Sequence, residues 1–398
     1  MRYKFPTIYS IKDVLPHIEG CDNIKVYNRE HYDVINYVMM DKETFPDIDT
    51  STDYLTSAIR RECRGLIFDK NGMLRRRAFH KFFNVGERPE VMPSNISFDV
   101  PYKILDKLDG SMVTPLSILG DHRFATKAGY TDTSALADRF VADNSNQIPY
   151  VPFCKELDID SWLPIFEFMS RKNRVIIDHP QDKMVLLAVR HRYTGRYMMY
   201  DEMKEIADSY EIPIVQHVAD SSTIDEFVEK TRKSEQQVEG YVIRFNDGHS
   251  IKIKTEWYVN VHVMKESISQ EKHVIRATLD EAIDDILPFL LEDDKERLLN
   301  FVGQFNRGIE FTVRVLANVL ATCGQTKEER KEFAINVAPT MDKALVSTIF
   351  KCWDTDRSLE TIRDAVINQV MKCLGSQTDV DKARKLWGGV VWNYTETE

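Results

Sequence analysis

Lys107 stands two residues ahead of Asp109-Gly110, in the run Lys107-Leu108-Asp109-Gly110-Ser111. A lysine amine is a nucleophile on a long stem, able to reach an α-phosphate and form a phosphoramidate bond. Asp-Gly-Ser reads as a tight turn that would hold this amine at the end of a strand. The bland alternative is a surface turn after an edge strand. Further groups suited to phosphorus chemistry follow in order. Phe166-Glu167-Phe168 sets a carboxylate between two aromatics, a pattern suited to a strand lining a pocket. Glu239-Gly240-Tyr241-Val242 opens a strand with another carboxylate, and Lys252-Ile253-Lys254 puts two ammonium groups on one strand face. Each piece has an ordinary explanation, Lys-x-Lys being a common edge-strand defence against aggregation; their order makes them specific. The nucleophile must attack as the neutral amine, which burial and neighbouring cations favour. Cations that stabilise charge on the phosphate oxygens supply much of the rest.

Arg60, Arg61, Arg64, Arg75, Arg76, Arg77, Lys81 and Arg88 crowd a single stretch and are expected to face an anion. Arg171, Lys172 and Arg174 form a second cluster. The net charge of −10 argues against a protein that coats nucleic acid indiscriminately, but a basic cleft can work on an acidic body. The ten histidines show no His-x-x-x-His spacing, so zinc hydrolysis has no support. Six scattered cysteines without Cys-x-x-Cys read as reduced thiols filling core space.

The elements that must position these groups change texture along the 398 residues. From about residue 25 to 255, short β-type runs such as 65–68, 102–105, 184–189 and 241–245 are broken by turns. Asn71-Gly72 and Asp247-Gly248 have the composition of hairpin turns. Helices are expected at 134–143 and 201–210. The pattern predicts an α+β domain over 1–262, made of antiparallel sheets with packed helices. From 263 to 398 the period becomes helical, with segments 271–287, 289–304, 308–322, 342–352 and 359–373 punctuated by Gly308 and Gly324. An all-helical C-terminal domain is expected there, with Phe301, Phe305 and Phe311 in its core. No apolar run is long enough to span a bilayer, and the N-terminus lacks the apolar core of a signal peptide, so a cytoplasmic protein away from membranes is expected.

The chain resembles the RNA ligase 1 family of T-even-type bacteriophages, within the superfamily that includes DNA ligases and mRNA capping enzymes. The matching stretches are 62–68 (Glu-Cys-Arg-Gly-Leu-Ile-Phe), 81–84 (Lys-Phe-Phe-Asn), 107–111, 124–127, 166–168, 185–195, 239–242 and 252–258, the last ending in Trp257-Tyr258. Leu108 occupies a slot where many relatives carry Glu. The resemblance implies an ATP-dependent RNA ligase with an N-terminal adenylyltransferase (nucleotidyltransferase) domain. It would join 5′-phosphate and 3′-hydroxyl ends through lysyl-AMP and RNA-adenylate intermediates. It implies Lys107 as the residue that becomes AMP-lysine. Tyr37, Arg64, Lys81 and Lys127 are implied as nucleotide contacts, and Glu167 as a carboxylate near the ribose hydroxyls. Glu239 is implied to act on metal or on the lysine, Lys252 and Lys254 on the α-phosphate, Tyr258 in ligation, and Asp284 at a metal. Mg²⁺ is implied as the metal, with Mn²⁺ as a substitute. A tRNA with a broken anticodon loop is the implied substrate, read by the helical domain. The family also implies a host bacterial cytoplasm, and a monomer is favoured. A capping enzyme or DNA ligase would continue past the paired lysines into a β-rich OB-fold module, whereas this chain turns helical. A catalytically inactive RNA-binding protein that kept the fold is the alternative from another class.

Overall fold

Alternating apolar residues decide which face each strand buries. In the computed structural model, which describes residues 4–48, 53–118, 120–145, 147–218, 224–234, 238–290 and 292–394, these runs build three four-stranded sheets. The described residues fall into two compact units, within Met1–Val259 and Asn260–Glu396. The first unit holds all three sheets. One has the order β1 (Ile24–Asn28), β2 (Tyr32–Tyr37), β3 (Arg64–Asp69) and β4 (Leu74–Arg76). The remaining strands in chain order are β5 (Tyr102–Lys107), β6 (Ser111–Ile118), β7 (Asp121–Ala125), β8 (Trp162–Met169), β9 (Lys183–His191), β10 (His217–Val218), β11 (Gly240–Phe245) and β12 (Ser250–Lys254). They form the sheets β10-β5-β11-β12 and β7-β6-β8-β9. Every ladder is antiparallel. Asn71-Gly72 turns β3 into β4, and Asp247-Gly248 turns β11 into β12.

Helices at Asp132–Asp143 and Tyr200–Ser209 flank these sheets. Besides the short Leu15–Ile18, the first unit has helices at Tyr54–Glu62, Tyr150–Ile159 and Ile224–Arg232 that are not among the examples named from the sequence. Aromatic and β-branched residues make Tyr150–Ile159 strand-like locally, and burial of Tyr150, Phe153, Cys154 and Leu157 on one face overrides that preference.

Beyond β12 the described residues form helices and turns, beginning at Glu256 rather than 263. Glu281, at φ +56°, interrupts the expected 271–287 segment, leaving Glu271–Leu279 and Ile283–Ile286. The segments expected separately at 289–304 and 308–322 are one 31-residue helix, Glu292–Thr322. Its buried stripe runs Leu298, Phe301, Phe305, Ile309, Val313, Leu316, Leu320. Gly308 marks a close approach, not a break: a Cβ there would lie 2.1 Å from the carbonyl oxygen of Trp387. Phe301 and Phe305 are buried as expected, but Phe311 is 66% exposed, because it sits off the stripe. Among the described residues no helix is long and apolar enough to cross a membrane.

Candidate active site

β5 ends at Lys107 and β6 begins at Ser111, so the motif forms the turn between two sheets. Asp109 is buried and fixes that turn. Its Oδ2 accepts from the backbone N–H groups of Ile176 (2.8 Å) and Ile177 (2.6 Å), and its Oδ1 from the Tyr258 hydroxyl at 2.6 Å. Asn173 Nδ2 donates to Ser111 Oγ at 2.7 Å, tying the Arg171–Arg174 segment to the same turn. Arg171 in that segment pairs with Asp178 at 3.2 Å.

Strand parity delivers the other groups. Phe166 and Phe168 point into the core, so Glu167 between them faces a cavity, paired in register with Met112. Ile251 and Ile253 likewise enter a core, which sends Lys252 and Lys254 to the opposite face of β12. Gly240 pairs with Lys107 on one side and Lys254 on the other, placing Glu239 between the two ammonium groups. Glu239 Oε1 lies 2.7 Å from Lys107 Nζ and 3.2 Å from Lys254 Nζ. Only glycine fits at 240: φ is +143°, and a Cβ would lie 1.9 Å from the Ile253 carbonyl oxygen. The Lys254 ammonium also stands 4.7 Å from the centre of the Tyr258 ring.

The cavity holds about 250 Å³ and is lined by Tyr37, Arg64, Lys81, Lys107, Glu167 and Lys252 together with Phe79, Phe82, Leu187, Val242 and Arg244. Lys127, exposed at its edge, lies 5.7 Å from the Tyr37 ring. The backbone of β12 holds Lys81 near Lys252: Lys252 N–H donates to Phe83 O at 3.1 Å, and Val85 N–H to Lys252 O at 2.9 Å. Asp284 lies in the second unit, exposed on Ile283–Ile286 beside Asp285.

Most of the Arg60–Arg88 cluster does not face an anion site, contrary to the sequence expectation. Arg77 and Arg190 clamp Glu62 from two sides at 2.8–3.0 Å, all three fully buried. Burial pushes the Glu62 carboxyl up, but the two guanidinium groups hold it down at about 2. Arg76 donates to Gly65 O at 2.6 Å, Arg61 pairs with Glu90, and Arg75 with Asp69 at 2.7 Å. Arg60 and Arg88 donate to backbone carbonyls at 2.8 Å. Arg64 and Lys81 are the members that line the cavity. An ion triad cannot be read from composition, because Arg190 is remote from Glu62 in the chain.

The electrostatics suit an anion. Burial, then Lys81, Lys107, Lys254 and Arg64, lowers Lys252 to about 7. Burial and then Arg64 bring Lys81 to about 8. Glu167 is pushed up to about 8 by burial, with Lys107 opposing and Glu239 adding. Burial, Glu239 and Asp109 raise the Tyr258 hydroxyl, keeping it a donor at neutral pH. The described residues bring together no group of three or more His, Cys, Asp or Glu side chains suited to a metal. The donor chemistry nevertheless fits Mg²⁺, which is usually bound through one or two carboxylates plus substrate phosphates. The Glu239 carboxylate adds to the rise of Glu167, and a divalent cation held near both would offset that repulsion. The sequence reading missed Phe79, Phe82, Leu187 and Arg244; Arg244 was accessible through parity with Gly240 and Val242 along β11.

Residues 62–258 match the RNA ligase family. A "Putative RNA ligase" of Thermovibrio ammonificans is 25% identical over 260 residues, 64% of each chain. "RNA ligase 1" of bacteriophage TS2126 is 24% identical over 208 residues, half of each chain. The chain thus spans 64% and 50% of the length of these curated relatives. Among solved structures, an archaeal ATP-dependent RNA ligase is 13% identical with a TM-score of 0.45, covering 74% of this chain and 75% of its own. The resemblance to the RNA ligase 1 family read from the sequence holds across this segment.

Proposed function

We propose that this chain, whose residues 62–258 match the RNA ligase family, is an ATP-dependent RNA ligase working through an adenylylated lysine. The observation that carries this is the Lys107 amine, held by Glu239 at 2.7 Å and lining a cavity whose other cations include Arg64, Lys81 and Lys252. The amine attacks the α-phosphorus of ATP. The new N–P bond forms as the bond to the bridging oxygen breaks, and pyrophosphate leaves with that electron pair. Glu239 orients the attacking nitrogen and accepts from it. Lys252 holds the α-phosphate oxygens, while Arg64, Lys81 and Lys127 hold the departing pyrophosphate. Glu167 reads the ribose hydroxyls. AMP then passes to an RNA 5′-phosphate, and a 3′-hydroxyl displaces it to seal the strand. Tyr258, fixed on Asp109, keeps the motif turn in place during this exchange. Mg²⁺, with Mn²⁺ as a substitute, would sit against Glu239 and Glu167 and supply charge neutralisation. For Asp284, in the other unit, a role at a metal rests on the family resemblance alone.

The substrate we assign is a tRNA broken in its anticodon loop, with the helical unit supplying specificity. Support for this is the family resemblance. The test is incubation with α-³²P-ATP and Mg²⁺ followed by a denaturing gel. Label that survives denaturation in the wild type and vanishes in Lys107→Ala supports the reading. Absence of label on protein stripped of bound AMP by pyrophosphate would sink it and favour an inactive RNA-binding protein.

A further inference from the structure

β11 alternates cleanly. Ile243 and Phe245 enter the core behind the sheet, and Gly240, Val242 and Arg244 share the face that lines the cavity. Gly240 lies opposite Lys107, and Arg244 follows four residues later, paired with Lys103. At about 3.3 Å per residue, Arg244 stands roughly 13 Å along the strand from the reactive end. This arginine is only 7% exposed, and no carboxylate among the described residues pairs with it. One guanidinium nitrogen donates to Leu187 O at 2.8 Å, and the group stands 5.6 Å from the Phe79 ring centre. Its Nε–H, shielded from solvent, meets no acceptor. Burying a guanidinium without a counter-charge is costly, and such a group commonly marks a place where a ligand supplies the acceptor.

The phosphate end of this cavity is already provided with Lys107, Lys252, Arg64 and Lys81. Around Arg244 stand Leu187 and Phe79, and with Val215 and Val242 they give the cavity apolar walls suited to the faces of a flat heterocycle. We propose that Arg244 is the base-reading residue of the nucleotide site, donating to a ring nitrogen of the purine while Leu187 O fixes the orientation of its guanidinium. This rests on the nucleotide site proposed above and adds how the base is selected. The adenine ring nitrogens N1, N3 and N7 are acceptors, and an arginine carries donors alone, so the pairing is chemically matched.

The experiment deletes the acceptor on the ligand and the donor on the protein together. Binding of ATP, 7-deaza-ATP, 3-deaza-ATP and 1-deaza-ATP is measured by calorimetry on the full chain, in the wild type, Arg244→Met and Arg244→Lys. A hydrogen bond from a charged donor corresponds to about a 10- to 100-fold affinity change. One deaza analogue should therefore bind the wild type at least tenfold more weakly than ATP. Arg244→Met should bind ATP and that analogue equally. Arg244→Lys, which keeps a donor, should recover part of the difference. Equal deaza penalties in wild type and Arg244→Met, including no penalty in either, would overturn the proposal, and so would a variant altered only in melting temperature. Labelling of Lys107 is scored separately on the same proteins, so failure of the ligase reading is distinguishable from failure of base reading.

Discussion

Raising the pH from about 7 to about 9 at fixed ionic strength should weaken nucleotide binding by up to about 100-fold, with Lys252 as the main cause. In the free protein this lysine titrates at about 7, lowered from an ordinary 10.5 by burial and then by Lys81, Lys107, Lys254 and Arg64. Phosphate oxygens against its ammonium restore the charged form, so binding takes up a proton wherever free Lys252 is neutral. Each pH unit between the two values then changes the binding free energy by up to about 1.4 kcal/mol, a factor of ten. Lys81, titrating at about 8, steepens the decline above that pH. For the protein without ligand the sign is opposite. The folded state holds Lys252 less protonated than the unfolded chain between about 7 and 10.5, so this residue adds stability as pH rises through that window. Nucleotide should therefore raise the melting temperature most at or below neutral pH and progressively less above it. Calorimetry at pH 8 in two buffers of different ionisation enthalpy counts the protons directly. About one should be taken up through Lys252, and Lys252→Met should remove it. Affinity that stays flat from pH 7 to 9, with no proton uptake in the wild type, would refute the reasoning.

The buried triad predicts that Glu62→Gln destabilises the protein by about 3–5 kcal/mol in urea unfolding, since it leaves Arg77 and Arg190 facing one another; a loss under about 1 kcal/mol would show that the clamp is dispensable. Gly308→Ala should cost about 1–3 kcal/mol, read as a lower melting temperature, because the new Cβ meets the Trp387 carbonyl. Tyr258→Phe removes the donor to Asp109 and leaves a buried carboxylate oxygen short of a partner, at about 1–3 kcal/mol. Its chemical readout is slower sealing of pre-adenylylated RNA, measured in single turnover, and an unchanged rate would separate Tyr258 from the turn.

Strand parity explains what could be read in advance. Phe-Glu-Phe and Lys-x-Lys report their own orientation, since the apolar partners declare which face is core. The antiparallel sheets, the two hairpin turns and the helix at 359–373 followed from alternation, turn residues and 3.6-residue spacing. Other features depended on tertiary partners. Gly308 looks like a break unless the Trp387 carbonyl is known to approach it. Phe311 carries the same residue type as Phe305 but lies off the buried stripe of its helix. Asp109 was legible as a turn residue, but not as the acceptor for Ile176, Ile177 and Tyr258.

The arginines show most clearly why charge in a sequence does not locate a site. Arg76, Arg77 and Lys81 are all buried and all cationic, yet they do different work. Arg77 is neutralised by Glu62, and Arg76 is spent on the carbonyls of Gly65 and Ala125. Both have their N–H donors engaged inside the fold and do not line the cavity. Lys81 instead sits among the rings of Tyr37, Phe45 and Phe83 at 5.2–5.8 Å, which favour a cation without cancelling its charge. Its titration near 8 shows that the balance is close enough for an arriving phosphate to tip it. The structural cations make this possible. The Glu62 clamp joins the helix before β3, the strand after β8 and the chain leading to Lys81, so the residues that present Arg64 and Lys81 are held before any anion arrives. Anion binding then pays little to reorganise the site, which is the condition for cations to favour charge that develops on phosphate oxygens.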